Sequence, residues 1–247
     1  MNKLTKFLAP IALLTSVGAH ADFIGGSVEA AYWYAGLGGD ATAGSSTVDV
    51  EDDLDFGSSG NFEVAVTIEH PVPVIPNARL KYTSIDQTED GELPAGGFDN
   101  VAASSVGKTN VETNLDLSHV DLILYYEILD NWVSVDVGLD IKVFDGQLEV
   151  SDGTDKSTTD IDKILPLAYA SAEFEFPLTD LSFGAELSAL SYSDNSIYDG
   201  KIRFRQGFSL AFVELGYRQM GVKIEDLSDT DIDLDFGGVY LSTGLDF

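Results

Sequence analysis

Cysteine is absent from all 247 residues, which excludes a disulfide framework, thiolate chemistry and any Cys-based metal site. Basic residues are scarce: 13 Lys and Arg stand against 42 Asp and Glu, a formal net charge of −29. A nucleic-acid backbone is drawn to Lys/Arg clusters and repelled by such a field, so nucleic acid is not an expected partner. No run reaches the roughly 18 consecutive apolar residues that a membrane-crossing helix needs, and apolar spacing at 3.6 residues is nearly absent. Charge this dense would fit a disordered chain. Here 44% of residues are hydrophobic and 11% aromatic, and the apolar ones alternate.

Alternation with period two is the dominant signal, and it predicts β-strands. From Trp132 to Phe144, Val133, Val135, Val137, Leu139, Ile141 and Val143 share one face, while Ser134, Asp136, Gly138, Asp140 and Lys142 share the other. Six apolar positions on one face cover about 11 residues, the length of a tilted membrane strand. The pattern recurs in Phe62, Val64, Val66 and Ile68, in Ala168, Ala170, Ala172, Phe174 and Phe176, in Leu181, Phe183, Ala185 and Leu187, and in Val28, Ala30, Tyr32 and Tyr34. Two stretches change phase. Near His119 the apolar set moves to Leu122, Leu124 and Tyr126, and near Gly237-Gly238 it moves to Val239 and Leu241. One extra residue in a β-bulge at each place would produce this.

Short turns are expected at Pro71–Asn77, Leu129–Asn131, Pro177–Asp180 and about Phe208–Leu210. Polar Gly/Asp/Ser-rich loops are expected at roughly 37–60, 89–112, 147–160, 194–198 and 226–231. Short and long connections alternate, as in an up-and-down antiparallel β-barrel that crosses a membrane. Five long loops and four short turns give a single all-β transmembrane barrel of ten strands, with eight as the alternative if 199–225 is divided differently. At the start of the chain, Lys3 and Lys6, an apolar Phe7–Val17 and Ala19-His20-Ala21 form a secretory signal peptide, residues 1–21, cleaved after Ala21. The barrel then occupies residues 22–247. Loss of Lys3 and Lys6 leaves 11 basic residues against 42 acidic ones, a net charge near −31.

On this strand register Arg79, Lys81, Lys142, Lys201, Arg203, Arg205 and Arg218 fall on the face opposite the apolar one. Glu29, Glu63, Asp136, Asp140, Glu173, Glu175, Glu186 and Glu214 fall there too. A narrow interior of mixed sign lets opposite charges satisfy one another where water is scarce. A salt-bridged plug is one reading of this interior and a narrow polar conduit the other. The excess acid lies in the loops, at Asp49–Asp55 and Asp226–Asp235. Asp229, Asp231, Asp233 and Asp235 share one side of a strand and are weak candidates for binding a divalent cation, though the spacing does not match a calcium loop. His119 has Asp121 on its face and Ser118 beside it, but no positioned nucleophile or second acidic pair, so a barrel hydrolase using His119 is a remote alternative and no enzyme activity or cofactor is expected.

The chain ends on Val239-Tyr-Leu-Ser-Thr-Gly-Leu-Asp-Phe247, a strand running to its last aromatic residue. Chain ends normally fray, whereas a membrane barrel's last strand must pair with its first so that no edge meets lipid. Together with the A-H-A site, Pro71-Val72-Pro73, Leu165-Pro166-Leu167, Gly216-Tyr217-Arg218 and Gly244-Leu245-Asp246-Phe247, this resembles a family of small outer-membrane β-barrel proteins of Gram-negative bacteria. The resemblance implies insertion by the barrel-assembly machinery, with Phe247 as the assembly signal, and carries over no catalytic residues. The expectation is therefore a monomeric integral protein of the cell outer membrane, in contact with lipid and with lipopolysaccharide, the latter through divalent cations. Its role is structural or surface-interactive; a narrow channel for small solutes or hydrophobic compounds is the alternative.

Overall fold

The computed structural model describes residues 25–44, 46–95, 97–99, 101, 109–227 and 230–247, and every regular element among them is a strand. The expected signal peptide and Asp229 lie outside the described residues. The strands are β1 (Gly25–Ala43), β2 (Ser46–Asp49), β3 (Ser58–Glu69), β4 (Asn77–Ser84), β5 (Asp86–Leu93), β6 (Thr109–Asp116) and β7 (His119–Leu129). They continue with β8 (Val133–Ser151), β9 (Lys156–Glu175), β10 (Leu181–Tyr192), β11 (Asn195–Phe208), β12 (Ala211–Leu227) and β13 (Thr230–Asp246).

These segments make ten staves of one closed antiparallel barrel. β4 and β5 form one stave and β6 and β7 its neighbour: the pairing Thr83↔His119 continues in step as Asp86↔Asp116. Between them the Leu117 N–H donates to the Ile85 carbonyl at 2.9 Å. β2 is a short addition to β1. β13 closes the ring by pairing with both β12 and β1, from Ser27↔Asp246 to Ala43↔Thr230. Phe247 completes that seam by exchanging two backbone hydrogen bonds with Gly26, at 2.8 and 2.9 Å. Ten strands, not eight, are present because the turn at 209–210 is real. It carries no Asn-Gly signal, and Ser209 supplies the left-handed backbone with φ 61°.

Two expectations are corrected. Three of the five long loops are shorter than the polar composition indicated: β8 runs to Ser151 and β9 starts at Lys156, so most of 147–160 is hairpin, and β10–β11 and β12–β13 meet in similarly tight connections, while the connection from Leu93 to Thr109 keeps its length. Nor is there a bulge near His119 or at Gly237-Gly238. The β1–β13 register passes Gly36↔Gly237 and Ala35↔Gly238 without a shift, and β7–β8 is regular from His119↔Phe144 to Glu127↔Asp136. Register shifts occur instead at Glu127/Leu129 and Ile224/Leu227.

At both places the two faces keep their direction and exchange their chemistry. Along β8 the outward residues are valines, Leu139 and Ile141 up to Val143, then Asp145, Gln147 and Glu149. The inward ones are Ser134, Asp136, Asp140 and Lys142, then buried Phe144, Leu148 and Val150. Along β13, Val239, Leu241 and Leu245 face outward near the short-turn end, and Asp231, Asp233 and Asp235 face outward beyond them. Ser242 and Tyr240 are buried inside, then Phe236, Leu234 and Ile232. The barrel thus has two storeys. The lower one, at the short-turn end, has an exposed apolar wall that includes Tyr32, Phe62, Val64, Leu80, Ile202, Phe204 and Leu215, around a polar interior. The upper one has a polar wall around a packed apolar core that includes Trp33, Leu37, Phe56, Leu93, Leu115, Met220 and Phe236.

Close packing inside the lower storey depends on missing side chains. A Cβ on Gly216 would run into the Ile202 carbonyl and the Tyr240 ring, which lies across that position. Gly216→Ala is expected to destabilise the barrel by about 1–3 kcal/mol through overpacking, read as a lower urea midpoint for refolded protein in vesicles. Phe236→Ala, which empties a fully buried upper site, is expected to cost about 3–5 kcal/mol in the same assay.

Candidate functional site

The interior of the lower storey concentrates the chain's ionisable chemistry. Alternation places one inward charge at every second residue, and neighbouring staves in register bring these into layers. In the layer nearest the apolar core, Arg218 binds Glu63 at 2.7 Å and Asp199 at 2.7 Å. Lys142 binds Asp121 at 2.5 Å and Asp199 at 3.2 Å, and Lys81 binds the same two carboxylates at 3.2 and 3.4 Å. Lys201 meets Glu63 at 2.5 Å and reaches Glu186 at 4.0 Å, linking this layer to the next. There Arg203 binds Glu173 at 2.8 Å, Glu186 at 3.0 Å and Glu214 at 3.6 Å, and Arg79 shares Glu186 at 3.0 Å. Tyr240 donates to Glu214 at 2.6 Å, and the Arg218 guanidinium stacks on Trp33 at 4.5 Å, where charge meets apolar core.

Of the residues expected to form this network, Arg79, Lys81, Lys142, Glu173, Glu186, Arg203, Glu214 and Arg218 are brought together. Arg205 is not: it turns toward the short-turn end, binds Asp246 at 2.6 Å and stacks on Phe212. Asp136 accepts the Ser171 hydroxyl at 2.6 Å, and Asp140, with no ion pair among the described residues, has the Ser188 hydroxyl for a neighbour. Asp199, the carboxylate shared by three cations, escaped the sequence reading. The signal was available, since Asp199 alternates in phase with Lys201 and Arg203.

His119 lies at the boundary of the two storeys, 1% exposed. Its Nδ1 is 2.8 Å from the Leu117 carbonyl, its ring packs on Phe144 at 5.0 Å, and Nε2 is 3.7 Å from Asp121. Ser118 bonds the backbone of Ile85. His119, Asp121 and Asp199 are the only three metal-type ligands that converge among the described residues, and the ammonium groups of Lys81 and Lys142 already occupy the two carboxylates. Asp231, Asp233 and Asp235 lie exposed along the outer wall of β13; Tyr198 donates to Asp235 at 2.5 Å and Lys223 stands 3.9 Å from Asp233.

Each end of the barrel has a cavity. At the short-turn end a vestibule of about 530 Å³ is lined by Arg79, Arg203, Arg205, Glu69, Asp136 and Glu173, among others. At the hairpin end a cleft of about 760 Å³ is lined by Asp52, Asp53, Asp55, Asp90, Glu92, Glu112 and Asp152. The Asp155 and Thr154 backbone N–H groups donate to Asp152 and hold its carboxyl below the usual carboxylate range.

No family model and no curated protein sequence matches the chain. Among solved structures it is similar to the outer membrane protease OmpT from Escherichia coli, with a TM-score of 0.55 at 9% identity, covering 94% of this chain and 99% of that one. The translocator domain of autotransporter NalP from Neisseria meningitidis follows at 0.47 and 10% identity, covering 92% and 90%. At such identity the OmpT likeness establishes the fold, a closed outer-membrane type of barrel, and the NalP likeness is too weak to add to it. Since OmpT is a protease, the fold alone does not decide against catalysis. The environment of His119 is more telling, because no face of its ring is open to a substrate.

Arg218→Met removes the cation between Glu63 and Asp199 and leaves buried carboxylates short of a partner. A loss of about 3–5 kcal/mol is expected, together with a shift in the emission of Trp33, on which the guanidinium stacks. Unchanged stability and emission would show that the layer is solvated.

Proposed function

We propose that this protein is an integral outer-membrane barrel whose interior is closed, with a structural and surface-interaction role. One observation carries this reading: along the axis, a layer of buried, mutually paired charges is followed by a layer of packed apolar side chains. A hydrated solute meets the second as a barrier and an apolar one meets the first, so neither class has a continuous path. In this reading residues 22–247 form the barrel after removal of 1–21, the short turns face the periplasm, and the upper storey stands outside the cell as a monomer. The apolar wall supports placement in lipid, because an exposed band this extensive on a soluble protein would associate or aggregate. Phe247, seated on Gly26, would serve both assembly-machinery recognition and seam closure.

The outer wall favours lipopolysaccharide as a neighbour. Asp86 faces Asp116, Asp90 faces Glu112, and Asp145 faces Asp162 directly across paired strands. Like charges so placed are destabilising, and divalent cations bridging them to anionic lipid phosphates would offset that cost. A narrow channel is the second reading, favoured by the vestibule, and requires both layers to part.

Refolded protein in planar bilayers is expected to give no conductance steps, and steady cation-selective steps would defeat the closed reading. Leu241→Arg, in the apolar wall, is expected to cost about 2–4 kcal/mol in vesicles, while Asp233→Arg, above it, should leave stability nearly unchanged. Equal effects would displace the proposed lipid boundary.

A further inference from the structure

Asp140 breaks the bookkeeping of the interior. The six buried cations of the charged layers, Arg79, Lys81, Lys142, Lys201, Arg203 and Arg218, each hold an ion pair, and six carboxylates share them. Asp140 is a seventh carboxylate. It is fully buried, no cation forms an ion pair with it among the described residues, and the hydroxyl that reaches it, Ser188 on β10, carries no charge. Directly opposite it in the ladder stand Ile123 on β7 and Leu167 on β9, both buried and apolar. The charged and titratable groups around it are Lys142 and Asp136 on its own strand, Asp121 and Tyr125 from β7, Tyr169 from β9, and Lys81 from β4. Both lysines are committed to Asp121 and Asp199.

We infer that Asp140 is a proton-binding site: the folded barrel holds it as the neutral acid, leaving the six cations to the six carboxylates in contact with them. A carboxylate between Ile123 and Leu167 would lack both solvent and a cation, with only the neutral Ser188 hydroxyl beside it. A neutral carboxyl also leaves Asp121 free to bind its two lysines without a second negative charge beside it. Loss of that proton would draw Lys142 away from Asp121 and loosen the layer from the side of the vestibule. The inference rests on the closed reading, since a hydrated lumen would ionise Asp140.

The test compares wild type with Asp140→Asn, a neutral replacement of nearly the same shape, by urea unfolding in vesicles between pH 5 and pH 9. The folded barrel keeps one proton that the unfolded chain releases above about pH 4, so wild-type stability falls with rising pH by this group while that of the variant does not. The ratio of unfolding constants, wild type over variant, is expected to rise about tenfold per pH unit until the folded protein itself releases the proton. A ratio that is flat or falls with pH overturns the inference. Infrared spectra of wild type alone provide a second readout should the variant not fold. A carboxylic-acid C=O band that persists at neutral pH supports the assignment, and its absence refutes it. Stabilisation of wild type by sodium ions, lost in Asp140→Asn, would put a metal cation in the proton's place and also overturn it. A silent bilayer trace stands independently, so failure here leaves the closed reading intact.

Discussion

A β-strand offers its side chains to two environments in strict alternation, and each long stave of this barrel passes from one pair of environments to another. Near the short turns the outside is apolar and the inside polar; near the hairpins the outside is polar and the inside apolar. Because the backbone register never slips at the crossing, the exchange has to be written residue by residue into the sequence. At Val143–Asp145 it takes one step of the outward face, and at Asp235–Val239 two small glycines carry it. Everything else in the molecule follows from that crossing. It sets where the wall can meet lipid, where the core can be dry, and where charge has to be buried between them.

The charges of the lower storey are largely removed from solvent and meet one another across the interior. Desolvating a carboxylate or ammonium is expensive, and their attraction offsets this only when each group has several good partners. Asp199 shows how that is achieved, with Arg218, Lys142 and Lys81 arriving from three different staves. Such an arrangement ties β4, β8, β11 and β12 together across the axis, which backbone pairing between neighbours does not do. Trp33 then covers the guanidinium, so the layer meets the apolar core across an aromatic face.

Much of this was legible in the sequence, and the failures have physical causes. The ten-stranded barrel could be read because the lower storey shows its alternation plainly in Phe62–Ile68, Trp132–Val143 and Leu181–Leu187. The upper storey reads as loops because its outward residues are Asp, Glu, Gly and Thr, and a strand whose polar face meets water resembles a loop when its inward Leu148, Val150 or Ile232 are few. Exchange of face chemistry and a one-residue slip leave the same trace in a one-dimensional pattern, and only pairing such as Gly36↔Gly237 tells them apart. The charged network was half visible: strand parity gives which residues point inward, while the identity of each partner depends on stagger between staves, and so Asp199 was missed and Arg205 misplaced.

The likeness to a protease barrel sharpens where recognition could reside. A shared fold transmits strand number and closure, whereas chemistry needs a group that a ligand can reach, and His119 is enclosed by Phe144, the Leu117 carbonyl and the paired carboxylates. If the interior is committed to holding the barrel shut, what remains available is the vestibule, the outer wall and the acidic cleft. Both of the latter carry carboxylates out of proportion to their cations. A surface that repels itself is kept only where the folded state can afford the strain or where something outside relieves it. The packed apolar core directly beneath is what gives the upper storey that margin, so the exposed charge and the hidden core are two parts of one arrangement.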